Sequence, residues 1–243
     1  MSELFEGKKI KTIVVDTLNA IQNNQYMGML DKKTGMTRDT WRDFGVAIYA
    51  FMAEGLSARG FETVLILGRE GTGKSFGIKY LEPGTNMWYN ADKKNPTFRN
   101  VEFDGNTYKS REVYGTKLAP TKFMKISSSY EEILKHVDAI KKADKLDENP
   151  IAFLIGHIED YKSENGEMRQ RLKMLGNMAS KMNIEGSVEN CLYSRINVLG
   201  DNVEFKLDTT NSGTNTARSL ESAFESRYID NNFELIRKVI SEY

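Results

Sequence analysis

Apolar positions along this chain follow two periods, and the change from one to the other marks out its elements. Apolar, β-branched runs within Lys11–Leu18, Phe61–Leu67 and Ile151–Gly156 predict strands buried on both faces, as in a parallel sheet. Between the first two, Trp41, Phe44, Ile48, Phe51, Met52 and Leu56 recur at helical spacing. They predict a helix over 40–56, stopped by Ser57-Ala58-Arg59-Gly60 with the glycine as its cap. Tyr130, Ile133, Leu134, Val137 and Ile140 predict a second helix, capped by Ser129. Phe233, Ile236, Ile240 and Tyr243 predict a third over 231–243, with Asn231 and Glu234 at capping-box spacing. Asn86–Asp92 and Lys122–Ile126 read as short strands. Hairpins are expected at Val101–Tyr108 around Asp104-Gly105, and at Leu192–Val198 with Val203–Asp208 around Gly200-Asp201. Asn23–Thr40 reads as a long polar loop and Asp144–Pro150 as a polar linker. Glu159–Lys173 is either a nucleic-acid loop or a solvated face leading into a helix. The pattern predicts one α/β domain over 1–243: a mainly parallel twisted sheet, helices on both faces, and β-hairpin elaborations.

Composition narrows the chemistry. Of 243 residues, 34 are Lys or Arg and 34 are Asp or Glu, so no net field draws the chain to nucleic acid or membrane, and such binding would need a local patch. A single cysteine, Cys191, excludes an intrachain disulfide and a thiolate cluster. With only His136 and His157, a zinc site is not expected. No apolar run reaches membrane-spanning length and no secretory signal opens the chain, so a cytoplasmic protein without a membrane partner is expected.

The strongest chemical signal is Gly68-Arg69-Glu70-Gly71-Thr72-Gly73-Lys74-Ser75, which fits G-x-x-x-x-G-K-[ST]. It follows a predicted strand and precedes a short predicted helix, Phe76–Leu81, which is the setting a phosphate-binding P-loop needs. Glycines let the backbone wrap a polyphosphate with its N–H groups turned inward. The expected nucleotide contacts are Gly68, Arg69, Glu70, Gly71, Thr72, Gly73, Lys74, Ser75 and Phe76. Lys74 reaches the β- and γ-phosphates, and the Ser75 hydroxyl ligates Mg²⁺. Asp16 ends a strand in the manner of a Walker B acid and is the second expected metal group. Two further candidates carry alternatives. His157 either senses the γ-phosphate or bonds a neighbouring loop, and Asp92 either orients the attacking water or caps a turn.

Taken together, these residues resemble the RecA-like P-loop ATPases that bacteriophages encode beside their recombination and single-strand-binding genes. The likeness covers most of the chain: the Walker A stretch, Val14-Val15-Asp16-Thr17-Leu18, Ile155-Gly156-His157-Ile158-Glu159, and the tail segments Thr210–Gly213, Ala217–Ser219 and Tyr228–Asn232. It implies a RecA-like core, ATP with Mg²⁺, single-stranded DNA as partner, annealing or recombination as the setting, and rings or filaments of identical copies. It also offers Arg218 as a trans-acting finger, against the plainer reading of a surface arginine. The order departs from the family, because Phe5–Gly68, with its Walker B strand, precedes the P-loop here. The strands ending at Gly68 and Gly156 have traded places. If both fill the family's lanes, Ile151–Ile155 lies between Thr63–Leu67 and Thr12–Asp16, all parallel. Two rival readings accompany the ATPase: a rearranged or engineered nucleotide-binding scaffold with little turnover, and a small-molecule kinase, for which no basic lid motif is present.

Overall fold

The computed structural model describes residues 8–30, 34–82, 84–91, 102–103, 106–107, 130–176 and 184–243. Among the described residues ten strands run in chain order: β1 (Ile10–Asp16), β2 (Glu62–Gly68), β3 (Asn86–Asn90), β4 (Glu102–Phe103), β5 (Asn106–Thr107), β6 (Leu146–Lys162), β7 (Met168–Leu172), β8 (Asn190–Leu199), β9 (Asn202–Asp208) and β10 (Tyr228–Asp230). The α-helices are α1 (Leu18–Met29), α2 (Arg38–Tyr49), α3 (Tyr130–Lys142) and α4 (Phe233–Ser241). The main sheet has the order β10-β9-β8-β2-β6-β1-β3, with β7 on the extension of β6, while β4 and β5 form a separate antiparallel pair. The lanes β8, β2, β6, β1 and β3 are parallel to one another; β9 pairs antiparallel with β8 and β10, and β7 antiparallel with β6. The fold is therefore α/β with a mostly parallel mixed sheet flanked by helices.

The expected lane order is present. Thr12–Asp16 pairs with Ile151–Ile155 on one side of β6, and Glu62–Gly68 pairs with Ile151–His157 on the other. Alternation decides which face each side chain serves. Val14, Val64, Ile66, Phe153 and Ile155 pack with Phe233, Ile236 and Ile240 of α4. Val15, Leu65, Leu67, Ala152 and Leu154 pack with Leu18, Ile21, Phe44, Ile48, Ile133 and Val137 on the opposite face. Both faces being covered, the central strands read as continuous apolar runs.

Several boundaries differ from the sequence reading. Residues 23–29 are helix, not loop: α1 runs from the Thr17 cap to Met29, and Tyr26 packs on Trp41 and Phe44. Only Leu18, Ile21 and Gln22 of α1 are buried, so its sequence carries little of an amphipathic stripe. The second helix begins at Arg38 under a Thr37 cap, and its last turns widen into a π-helix over Ala50–Gly55. Gly60 ends that region at φ 90°, as its cap role requires. Residues 146–150 belong to β6 instead of a linker, with Leu146 paired to Ile10 across a register shift. Glu159–Lys173 is neither a loop nor a helix approach; it is the two-stranded ribbon β6–β7. Asn232, not Asn231, caps α4, accepting from the Leu235 N–H at 3.0 Å. The strand expected at Lys122–Ile126 and the Ser129 cap lie outside the described residues, as does Asp92.

Candidate functional site

The glycine loop turns at the carboxyl end of β2 and is braced from three sides. Gly71 and Gly73 have φ of 77° and 76°, in the left-handed region that glycine occupies without strain. A Cβ at Gly68 would lie 2.7 Å from Thr72 Oγ1, so the close turn needs its absence. Thr72 Oγ1 donates to the Arg69 carbonyl at 2.8 Å. From β8, Ser194 Oγ donates to the Thr72 carbonyl at 2.5 Å, and Asn231 Nδ2 donates to the Gly73 carbonyl at 2.6 Å. These bonds fix the Thr72 and Gly73 carbonyls and hold the loop in one conformation. The segment that follows, Lys74–Tyr80, is a 3₁₀ helix where an ordinary helix was expected over Phe76–Leu81.

Lys74 is only 6 % exposed, and its Nζ donates to the Arg69 carbonyl at 2.7 Å and sits 3.3 Å from His157 Nδ1. The cation is thus folded back onto its own loop, within reach of the space that a β- or γ-phosphate would occupy. Ser75 Oγ donates to Asp16 Oδ2 at 2.7 Å, although the two residues are 59 apart in sequence. Their oxygens can enter one Mg²⁺ shell, since Mg²⁺ takes one or two protein oxygens and completes its octahedron with phosphate and water. Among the described residues no three His, Cys, Asp or Glu side chains converge as a metal cage. The donor set fits a nucleotide-borne Mg²⁺.

His157 continues β6 directly beyond Gly156, and its backbone N–H donates to Asn19 Oδ1 at 2.7 Å. Asn19 Nδ2 in turn donates to the Lys173 carbonyl at 2.8 Å, tying the start of α1 to the end of β7. A cleft of about 640 Å³ opens here, lined by Thr17, Asn19, Arg69, Glu70, His157 and Lys173, among others. Arg69 pairs with Asp160 at 2.5 Å, but both side chains are exposed, so the pair contributes little to stability. Phe76 packs on Phe205 of β9 with ring centroids 4.8 Å apart, and Lys79 Nζ lies 3.5 Å from the Phe76 centroid.

The structure therefore brings Lys74, Ser75, Asp16 and His157 to one edge, with Gly68–Gly73 beside them. Arg218 stands elsewhere: its guanidinium donates to the carbonyls of Glu185 and Val188, and its backbone bridges Cys191. That placement makes it a brace for the turn before β8. Sequence reasoning missed Asn19, Ser194 and Phe205, and gave Asn231 only a capping role. Ser194 and Asn231 act on loop carbonyls 122 and 158 residues away, a separation that no local pattern reveals. Asn19 carried one legible signal, a polar amide just after the candidate Walker B acid. Among the described residues no helix is long and apolar enough to cross a membrane. Comparison with protein-family models, with curated proteins and with solved structures returns no match to this chain.

Proposed function

We propose that this chain is a Mg²⁺-dependent ATP-binding protein with a RecA-like P-loop core, an ATPase that works with single-stranded DNA in phage recombination or replication. The observation that carries the reading is the 2.7 Å contact between Ser75 of the glycine loop and Asp16 at the end of β1. Those are the two side chains a P-loop enzyme needs on one metal, and they meet across the intervening lane of β6. In this reading the loop amides hold the polyphosphate and Lys74 leaves the Arg69 carbonyl for the β- and γ-phosphates. Bound Mg²⁺ supplies charge neutralisation at those phosphates. The same reading makes His157, whose Nδ1 is 3.3 Å from Lys74 Nζ, the group that registers a γ-phosphate.

The DNA part of the proposal rests on the resemblance. Along Glu159–Lys173 four basic residues face four acidic ones. Arg171 pairs with Glu159 and Arg169 with Glu167, each at 2.8 Å. Phosphate contact there would open those pairs and release the DNA strand's condensed counterions, and that release makes affinity fall as salt rises.

Titration calorimetry with Mg²⁺-ATP tests the binding site. Lys74→Ala should weaken ATP by at least about tenfold, since Lys74 is the buried cation of the loop, while Arg69, its other cation, is exposed and paired with Asp160. Equal affinity in both proteins would end the reading. Phosphate release, measured with and without single-stranded DNA, tests the enzyme. Binding without turnover under either condition leaves a nucleotide-binding scaffold.

A further inference from the structure

The β8–β9 hairpin runs past the carboxyl edge of the parallel lanes. β8 pairs with β2 only as far as Leu67↔Tyr193, and then continues to Leu199 beside β9. The opposed pairs Ser194↔Leu207, Ile196↔Phe205 and Val198↔Val203 share one face of this hairpin. At its inner end that face touches the glycine loop: Ser194 bonds Thr72, and the Phe205 ring lies where a Cβ on Gly73 would be. Further out the face is apolar and open to water, with Ile196 40 %, Val203 55 % and Val198 66 % exposed. An apolar strip that starts on a phosphate loop calls for an apolar group carried by the phosphate's owner.

The polarity of the site says which group. Lys74, Ser75, Asp16 and His157 lie on the β6–β1 side of β2, so the β- and γ-phosphates and the metal belong there. The α-phosphate end then faces β8 and β9, and a nucleoside attached to it leaves over the hairpin. We propose that Phe205, Ile196, Val203 and Val198 form a platform on which the nucleobase of a bound nucleoside triphosphate lies flat. This rests on the P-loop reading above and adds the base subsite to it. Two residues along a strand advance about 6.6 Å, so the step from Phe205–Ile196 to Val203–Val198 spans a base. Beyond Ser194 the strip carries no hydrogen-bonding side chain, so it holds a base by its face and does not read its edges.

The test is calorimetry on the intact chain with three Mg²⁺-loaded probes: ATP, GTP and inorganic tripolyphosphate. The wild type should bind ATP and GTP alike, and both at least about tenfold more tightly than tripolyphosphate, the size of gain that stacking one base gives. Ile196→Asp should erase most of that preference while tripolyphosphate affinity stays unchanged. Phe205→Leu should reduce it in the same sense; because Phe205 also props Gly73, Ile196→Asp is the deciding variant. Tripolyphosphate binding as tight as ATP in the wild type overturns the platform and leaves the phosphate site standing. A full ATP preference in Ile196→Asp does the same, and if that variant also lowers the sedimenting mass, the strip is a contact between copies. No binding of any probe overturns both readings.

Discussion

Asp16 is 7 % exposed and carries a carboxylate whose Oδ2 already accepts a hydrogen bond from Ser75. A neutral amide at this position keeps the size of the group and loses the charge that a cation needs. In Asp16→Asn the gain in ATP affinity on adding Mg²⁺, compared with EDTA, should therefore shrink by about tenfold. Calorimetry in the two buffers measures it, and an unchanged Mg²⁺ gain would remove Asp16 from the metal site. His136 offers a test on stability alone. Its Nδ1 lies 2.8 Å from the hydroxyl of buried Tyr89, and burial holds its pKa below the ordinary imidazole value. Between about 6.5, the value in an unfolded chain, and the lower folded value, the unfolded state binds more protons. This contribution is complete above the unfolded value and is lost as pH falls through the folded one. Urea midpoints should drop from pH 7 to pH 5 less steeply in His136→Gln than in the wild type, and parallel curves would refute the assignment.

The loop and its helix keep their shape through a few close approaches to other elements. Gly77, in the 3₁₀ helix after the loop, leaves no room for a Cβ beside the Phe233 ring and the Asn231 amide. The packed ring and the amide must give way to admit even a methyl group, so Gly77→Ala should destabilise the protein by about 1–3 kcal/mol. It should also weaken nucleotide binding, because Asn231 is the residue that holds the Gly73 carbonyl. Denaturant unfolding reads the first effect and calorimetry the second. A variant as stable as the wild type would show that α4 does not press on the loop segment. The same logic explains why the hairpin β8–β9 matters to a site it does not resemble in sequence: Ser194 and Phe205 come from its two strands and close on consecutive loop residues.

For the whole molecule, the middle lane β6 is the common support. It lies between the strand that leads into the glycine loop and the strand that ends in Asp16, so its position sets how far apart Lys74, Ser75 and Asp16 stand. Phe153 anchors that lane, fully buried and stacked on Phe233 of α4 with centroids 4.3 Å apart. Phe153→Ala should cost about 3–5 kcal/mol through lost burial and the cavity left behind. The loss would appear as a lower urea midpoint, and a cost below about 1 kcal/mol would mean that β6 is not the packed centre described here. Charge balance acts on the same scale: with 34 residues of each sign, long-range attraction contributes little and contacts decide what the protein binds.

The sequence alone determined the buried parallel strands, the glycine loop with its lysine and serine, the β4–β5 and β8–β9 pairings and the stripes of α2, α3 and α4, except that Tyr243, expected in the last stripe, lies beyond α4 and is 67 % exposed. Each rests on a local pattern: an unbroken apolar run, a fixed motif, a turn dipeptide, a 3.6-residue repeat. Even the order of the central lanes was legible, because short apolar strands ending in glycine suit fully buried lanes. Tertiary structure decided the rest. α1 is helical beyond residue 23 because Tyr26 finds Trp41 and Phe44, not because its own residues repeat. The charged ribbon became β-structure because β6 runs on past Gly156 and offers β7 an edge. Ser194, Phe205 and Asn231 became part of the site only when the sheet closed over a separation of more than a hundred residues. Hydrogen bonds and van der Waals contacts act over a few ångströms, so which distant side chains share a site is fixed only once the chain has packed.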